Sequence, residues 1–189
     1  MHSNLTMELA QLLKECRNQS ITAQKYLYDR YAVSLFLVCR RYMRTDEQAE
    51  EMMMNGFLKI FKALSQFEYK NEAATLGWMK KIMVNECLQE LRKKNSFLTI
   101  AENEAKELSA DEDVIGSLTA EEIFSVITKL PVGYRTVFNL YVIEGMNHRE
   151  IATAMGITEG TSKSQLSKAR GLLQQLLIQT NAAYASRIR

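Results

Sequence analysis

The sequence of 189 residues has few of the residues that interrupt helices. It contains one proline and eight glycines, and alternating β-branched residues are scarce, so helix is expected nearly throughout. It also has only two histidines, His2 and His148, and no glycine-rich phosphate loop, which leaves no constellation for catalysis. We therefore expect an all-α protein that is not an enzyme and requires no cofactor.

Cysteines and long apolar runs are equally sparse. The three cysteines, Cys16, Cys39 and Cys87, lie far apart without a C-x-x-C spacing or adjacent histidines, which favours buried reduced thiols and gives no zinc site. There is no apolar run of about eighteen residues, and the N-terminal stretch MHSNLTMELAQLLKE lacks the basic start and apolar core of a secretory signal. Neither a membrane span nor export is predicted, and we expect a cytoplasmic protein.

The net charge of +2 conceals three segments of different sign. Residues 1–94 carry 15 basic against 11 acidic side chains, residues 95–122 carry 1 against 8, and residues 123–189 carry 8 against 3. The middle segment has no sustained apolar period, which favours a solvated linker; the alternative is a charged segment that mimics nucleic acid inside a basic channel of a partner. We predict two helical domains, 1–94 and 119–189, joined by an acidic linker at 95–118.

Periodicity and capping residues place the helices within these domains. In the first domain we predict a short helix and then helices over 21–43, 45–64 and 74–94; in the second, over 120–128, 131–143, 148–155 and 159–180. The predicted N-terminal caps pair Thr45 with Gln48, Thr119 with Glu122, and Asn147 with Glu150.

The stretch NHREIATAMGITEGTSKSQLSKARGLL has the pattern of a helix-turn-helix. Gly156 suits a left-handed residue after the first helix, Thr158 suits the cap of the second, and slim Gly160 and Thr161 leave its first turn open to a phosphate. On a helical wheel the second helix has an apolar arc and a polar arc. The polar arc contains Lys163, Ser164, Ser167 and Lys168. The pattern alone leaves open a solvated amphipathic helix, an operator-binding repressor, a response-regulator output domain and a polymerase subunit.

The helix beginning at Asp46 carries a core stripe and a distinctive flank. The stripe consists of Ala49, Met52, Met53, Gly56, Phe57, Ile60, Phe61 and Leu64. The flank, Glu47, Glu51, Met54 and Leu58, places two carboxylates and two large apolar side chains in one row, which suits a basic and apolar partner helix. The alternative is that this row contacts the first helix of the same domain.

The next helix, LGWMKKIMVNECLQELRKK, interleaves cations with amides. Its inward side is predicted to contain Trp78, Ile82, Met83 and Leu91, with Trp78 interpreted as core. Its outer side is predicted to contain Lys80, Lys81, Asn85, Gln89, Arg92, Lys93 and Lys94. Cations, amides and a nearby aromatic suit binding of DNA strands with unstacked bases.

These segments together resemble the bacterial sigma-70 family, and within it the small extracytoplasmic-function (ECF) type. YDRYAVSLFLVCRRYM, DEQAEEMMMNGFLKIFKAL and GWMKKIMVNECLQELRKK resemble successive parts of sigma region 2, and the stretch from Leu130 to Leu173 resembles region 4. The resemblance implies a sigma factor that binds core RNA polymerase and promoter DNA and performs no bond chemistry. A free-standing helix-turn-helix regulator is the alternative, although no heptad seam for a dimer follows Leu177.

The resemblance also implies three sets of binding residues. The core polymerase set is Glu47, Glu50, Glu51, Met54, Asn55 and Leu58. The set for the minus-ten region is Lys80, Lys81, Asn85, Gln89 and Arg92. The set for the upstream, minus-thirty-five element is Thr161, Lys163, Ser164, Ser167, Lys168 and Arg170. Met54, Asn55, Gln89 and Leu76 depart from the usual family residues, and the promoter sequence and any anti-sigma partner are left open.

Overall fold

The computed structural model describes residues 8–93 and 120–187, and within these ranges the chain is helical without a β-strand, which confirms the all-α prediction. Contacts divide the chain into two compact units, Met1–Cys87 and Leu88–Arg189. The acidic linker and the predicted Thr119–Glu122 cap lie outside the described residues, so the domain limits at 94 and 119 stay predictions. Across the described ranges, none of the helices combines the length and apolarity that crossing a membrane requires.

The first unit is built on α1 (Leu9–Arg17), α2 (Ile21–Arg40) and α3 (Asp46–Ala63), and a 3-10 turn then leads to α4 (Glu72–Lys93), which runs through the boundary between the units. The predicted cap is present, since Thr45 Oγ1 accepts a hydrogen bond from the Gln48 amide at 3.3 Å. Helix α2 ends three residues before the predicted limit, because Tyr42 and Met43 turn inward and are buried.

Buried side chains of α1, α2, α3 and α4 form the core of the first unit. The rings of Tyr28 and Phe57 lie 4.8 Å apart between α2 and α3. All three cysteines are buried and free, as predicted. A hydrogen bond with the Cys39 thiol and burial raise the pKa of Cys87, and burial raises the pKa of Cys16 to about 11, so both thiols are protonated at neutral pH.

The second unit contains α5 (Ala120–Thr128), α6 (Val132–Phe138), α7 (His148–Met155) and α8 (Glu159–Arg187). The helix predicted over 131–143 is α-helical only to Phe138 and continues as a π-helical turn, Asn139–Ile143, while α8 runs beyond the predicted end at 180. Leu130, Tyr134 and Ala169 form a buried cluster that Phe138 and three leucines of α8 complete.

Polar side chains are also buried in the second unit, which the sequence did not predict. Arg135 is 2% exposed, and its Nη1 donates to the carbonyl of Thr128 at 2.9 Å. The Thr136 hydroxyl, fully buried, donates to the carbonyl of Val132 at 2.7 Å. The Arg135 bond ties α6 to the end of α5, and the Thr136 bond lies within α6 itself. Both satisfy donors that would be costly to bury without an acceptor.

Candidate nucleic-acid and partner interfaces

The turn between α7 and α8 has the geometry that the sequence predicts. Asn147 and Glu150 form a reciprocal capping box at the start of α7, and Gly156 ends the helix in the left-handed region with φ of +70°. Thr158 Oγ1 then accepts from the Thr161 amide at 3.0 Å, which fixes the first turn of α8. The two helices pack on each other, and a helix-turn-helix is formed.

The predicted recognition residues lie on the solvent side of α8. Thr161, Lys163, Ser164, Ser167 and Arg170 are exposed, and Lys168 is half-buried. On the opposite side, Leu166 and Ala169 are buried. The hydroxyl of Thr161 lies 2.8 Å from that of Thr158, so both the amide and the hydroxyl of Thr161 have a partner within the protein. Thr161 is therefore less available to a phosphate than the exposed Lys163 and Arg170.

Three side chains on or close to α8 were not predicted from the sequence to belong to this site. Ser162 is fully buried, and its Oγ lies 2.9 Å from Nδ1 of His148. The imidazole of His148 stacks on the ring of Tyr141 with centroids 4.7 Å apart, and the guanidinium of Arg170 lies 5.9 Å from the Tyr141 centroid. No sequence signal joins these residues, since Tyr141 belongs to the π-helical turn and the others to two different helices.

The flank of α3 forms an exposed row. Glu47, Glu50 and Glu51 are exposed and Asn55 is half-buried. Met54 is 50% exposed and Leu58 is 56% exposed, so packing within the domain does not bury either side chain. The backbone amide of Glu47 and the hydroxyl of Thr45 lower the pKa of Glu47, so this carboxylate stays ionised to a lower pH than an ordinary glutamate. The row thus presents negative charge beside uncovered apolar area.

The start of α4 is anchored on α2. Oε1 of Glu72 accepts from Arg30 Nη2 at 2.7 Å and from the Tyr31 hydroxyl at 2.9 Å. The Tyr31 hydrogen bond and then the Arg30 charge lower the pKa of Glu72, while burial and the same hydrogen bond raise the pKa of Tyr31 to about 12. Asn71 caps the helix by accepting from the Ala74 amide at 2.8 Å. These contacts hold the first turn of α4 in place.

The predicted minus-ten residues lie along one side of α4. Lys81, Asn85, Gln89 and Arg92 are exposed and follow one another at i, i+4, i+8 and i+11, and Lys80 is half-buried. Trp78 stacks on Phe67 with centroids 4.1 Å apart and is half-buried, so it lies at the edge of the core and its interpretation as core holds only in part. Met83 and Leu91 are buried as predicted, and Ile82 is half-buried.

The opposite side of α4 meets α3. Glu86, 8% exposed, forms an ion pair with Lys59, and Met83 packs over Gly56. Helix α4 is therefore held against α3 by the side opposite its exposed row. No group of three or more His, Cys, Asp or Glu side chains that could hold a metal lies in the part of the chain that the structure describes.

A helix-turn-helix with a cationic outer face, in a chain that also exposes an acidic and apolar row on α3, is typical of a DNA-binding protein. Comparison with known families agrees: the sigma-70 region 2 model matches residues 27–97, and the sigma-70 region 4 model matches residues 120–173. Together they match more than half of the chain. The chain belongs to the sigma-70 family and is of the ECF type.

Individual relatives are similar over most of their length. The chain is 26% identical to the ECF RNA polymerase sigma factor SigM of Mycobacterium tuberculosis over 161 residues, which is 83% of this chain and 80% of that protein. It is 25% identical to SigW of Bacillus subtilis over 186 residues, 92% and 98% of the two chains. The solved structure of CnrH in complex with the cytosolic domain of CnrY is similar at 19% identity and a TM-score of 0.45, over 88% of this chain and 94% of that one.

Proposed function

We propose that this chain is an ECF-type sigma factor that binds core RNA polymerase and directs it to selected promoters. The observation that carries this function is the presence of both sigma regions in order on one chain. Family membership supports an initiation factor that does not itself catalyse bond formation, and we propose that it acts in the cytoplasm, where polymerase and promoter DNA are. A free-standing regulator would need the helix-turn-helix alone and is not favoured.

The exposed row on α3 is proposed as the polymerase-docking surface. Met54 and Leu58 leave about half of their area in water, and burying apolar area is the main source of affinity in protein interfaces. Glu47 and Glu51 flank them and select a partner surface that carries positive charge. Glu50 and Asn55 lie at the edges of the row and complete the proposed contact.

Two surfaces are proposed to bind the promoter. The row on α4, Lys81, Asn85, Gln89 and Arg92 with Lys80 beside it, offers amides for base edges and cations for phosphates of the minus-ten region. The outer face of α8 offers Lys163, Ser164 and Ser167 near its N-terminus, where helices in a major groove contact bases. The acidic linker is proposed to occupy a basic channel of the polymerase.

The direct test of the function is transcription from promoter DNA with purified core polymerase, which should start at defined sites only when the chain is added. The docking row is tested by Met54→Asp, which places a carboxylate where apolar area must lose water on binding. We expect at least about a thirtyfold loss of affinity for core polymerase, measured by pull-down, since truncating or charging an interface anchor costs about 2 kcal/mol or more.

The matched control is Val33→Asp, which adds the same charge at a residue of α2 that is 74% exposed and lies outside the row. It should bind core polymerase as the unaltered chain does. Equal binding by both variants, with unchanged helix content, would show that the α3 row is surface without a docking role.

A further inference from the structure

Four side chains form a connected stack beside the proposed DNA-binding face of α8. The guanidinium of Arg170 lies 5.9 Å from the centroid of Tyr141, whose ring stacks on His148 at 4.7 Å, and Nδ1 of His148 lies 2.9 Å from Oγ of Ser162. The stack thus begins at a side chain on the surface of α8 and returns to the buried side of the same helix. It crosses the π-helical turn and the first residue of α7 on the way.

One end of this stack is fixed and the other is open. Ser162 is fully buried, so the packing of α8 sets where the imidazole of His148 lies, and His148 in turn sets the plane of Tyr141. Tyr141 is 36% exposed and Arg170 is exposed. The π-helical turn, Asn139–Ile143, carries Tyr141 to this position, and such turns within helices occur frequently at functional sites.

Arg170 lies on the same face of α8 as the residues proposed to bind DNA. Lys163, Ser167 and Arg170 follow at i, i+4 and i+7, and all three are exposed. A guanidinium held over an aromatic ring keeps N–H groups that point away from the ring, and these can donate to a phosphate. A free arginine would lose rotamer entropy on binding, and a stacked one loses less.

We propose that Tyr141 and His148 are positioning residues that hold the guanidinium of Arg170 ready for a DNA phosphate at the edge of the upstream element. This inference rests on the proposed function of α8 and adds three residues, Tyr141, His148 and Ser162, that do not themselves contact DNA. Removing the Tyr141 ring should lower the affinity for DNA roughly two- to fivefold, which is the contribution of an exposed cation–π contact. Removing the guanidinium should cost more and lower the salt dependence by about one phosphate.

The test is a binding titration of the full chain assembled with core RNA polymerase. The probe is promoter duplex that the unaltered holoenzyme selects from a pool with a randomised upstream segment, and it is titrated at several salt concentrations. The variants are Arg170→Gln, Tyr141→Leu, Tyr141→Phe and the double variant Tyr141→Leu with Arg170→Gln. Val142→Ala, at the next residue of the same π-helical turn, is the matched control because Val142 is 50% exposed and outside the stack.

We expect Tyr141→Leu to weaken DNA binding roughly two- to fivefold. Tyr141→Phe should bind normally because the ring is kept, and the control Val142→Ala should bind normally as well. When Arg170→Gln is already present, adding Tyr141→Leu should cause no further loss of DNA affinity, because the Tyr141 ring acts only by positioning the Arg170 guanidinium. Equal losses from Tyr141→Leu in both backgrounds would overturn the proposal, because the ring would then act on the fold instead.

Two other results separate this proposal from the proposed function. If Arg170→Gln weakens binding and Tyr141→Leu does not, the positioning role is wrong while α8 still binds DNA. If neither Arg170→Gln nor Lys163→Ala changes binding, or if the holoenzyme selects no upstream sequence, the proposed role of α8 is wrong and the positioning role is overturned with it.

Discussion

At the scale of single residues, the two lysines of α8 differ in a way that matters for DNA. Lys163 is exposed in the first turn and a half of the helix, next to Ser164, whereas Lys168 lies further along and is half-buried. Residues near the N-terminus of a recognition helix reach base edges, and residues further along more often meet the backbone. Lys163 and Lys168 carry the same charge, but their positions on α8 predict different contacts with DNA.

We predict that Lys163→Ala lowers the affinity of the holoenzyme for its preferred upstream sequence by about 1 to 3 kcal/mol, with a much smaller loss on a scrambled sequence, because base contacts discriminate between sequences. Lys168→Ala should weaken both duplexes alike and reduce the salt dependence by about one phosphate. Titrations of both variants on matched and scrambled duplexes measure this. An equal loss on the two duplexes for Lys163→Ala would mean that Lys163 binds the backbone.

Residue burial was only partly predictable. The helical wheel predicted correctly that Leu166 and Ala169 are buried, because apolar residues that recur at helical spacing form the side of a helix that packs on the core. Ser162 and Gln165 lie on the same side of the helix and are also buried, at 0% and 7% exposure. Their burial could not be predicted, because burial of a polar side chain depends on partners that the sequence alone does not identify. The partner of Ser162 is His148, fourteen residues earlier in sequence, and only the tertiary structure brings them together.

At the scale of elements, glycine decides how closely α3 approaches α4. A Cβ at Gly56 would lie 2.2 Å from Sδ of Met83, and Met83 is fully buried, so its side chain has little room to move. Close approach here also brings Lys59 to Glu86 and holds the proposed polymerase helix against the proposed minus-ten helix. The pattern predicted Gly56 as core but gave no reason for glycine at that position.

We predict that Gly56→Ala destabilises the first unit by about 1 to 3 kcal/mol, as overpacking of a filled core does, despite the better helix propensity of alanine. Gly77→Ala is the matched control in α4, since a Cβ there meets nothing within 4 Å, and it should stabilise by about 0.5 to 1 kcal/mol. Urea unfolding followed by fluorescence of Trp78, the one tryptophan, reports on this unit. Similar stabilisation by both substitutions would show that Met83 moves aside without cost.

Most helices were predictable because caps and apolar stripes are local signals. The helices 120–128 and 148–155 begin and end where predicted, and Thr45 and Asn147 cap as expected. The π-helical turn was not predictable, since the sequence from Pro131 to Ile143 carries one continuous apolar pattern and the change of hydrogen bonding depends on packing. The candidate surfaces on α3, α4 and α8 were predictable as exposed rows, whereas the stack on Tyr141 was not.

At the scale of the whole molecule, charge is distributed by segment. The two regions that contain the helical units are net basic, and residues 95–122 carry 1 basic against 8 acidic side chains. The Debye length is about 8 Å at physiological salt, so distant segments present their charges to a partner separately. An acidic segment between the two regions proposed to bind DNA would be repelled by the promoter and attracted by any basic channel of the polymerase.

We predict that the charge of this segment contributes to initiation. Replacing its Asp and Glu residues with Asn and Gln, at constant length, should lower the transcript yield per bound holoenzyme, because the attraction that seats the segment in a basic channel is lost. Promoter binding by α8 should stay the same, since its residues are unchanged. The measurement compares transcript yield and promoter occupancy at the same polymerase concentration, at low and at high salt.

A linker with the same residues in scrambled order is the matched control, because it keeps the charge and length and loses any specific sequence. It should support initiation nearly as well as the unaltered chain if charge is the property that matters, and the difference between the neutral and charged linkers should shrink at high salt. Equal yields from the neutral and unaltered linkers at low salt would instead favour a spacer whose only role is to span the distance between the two units.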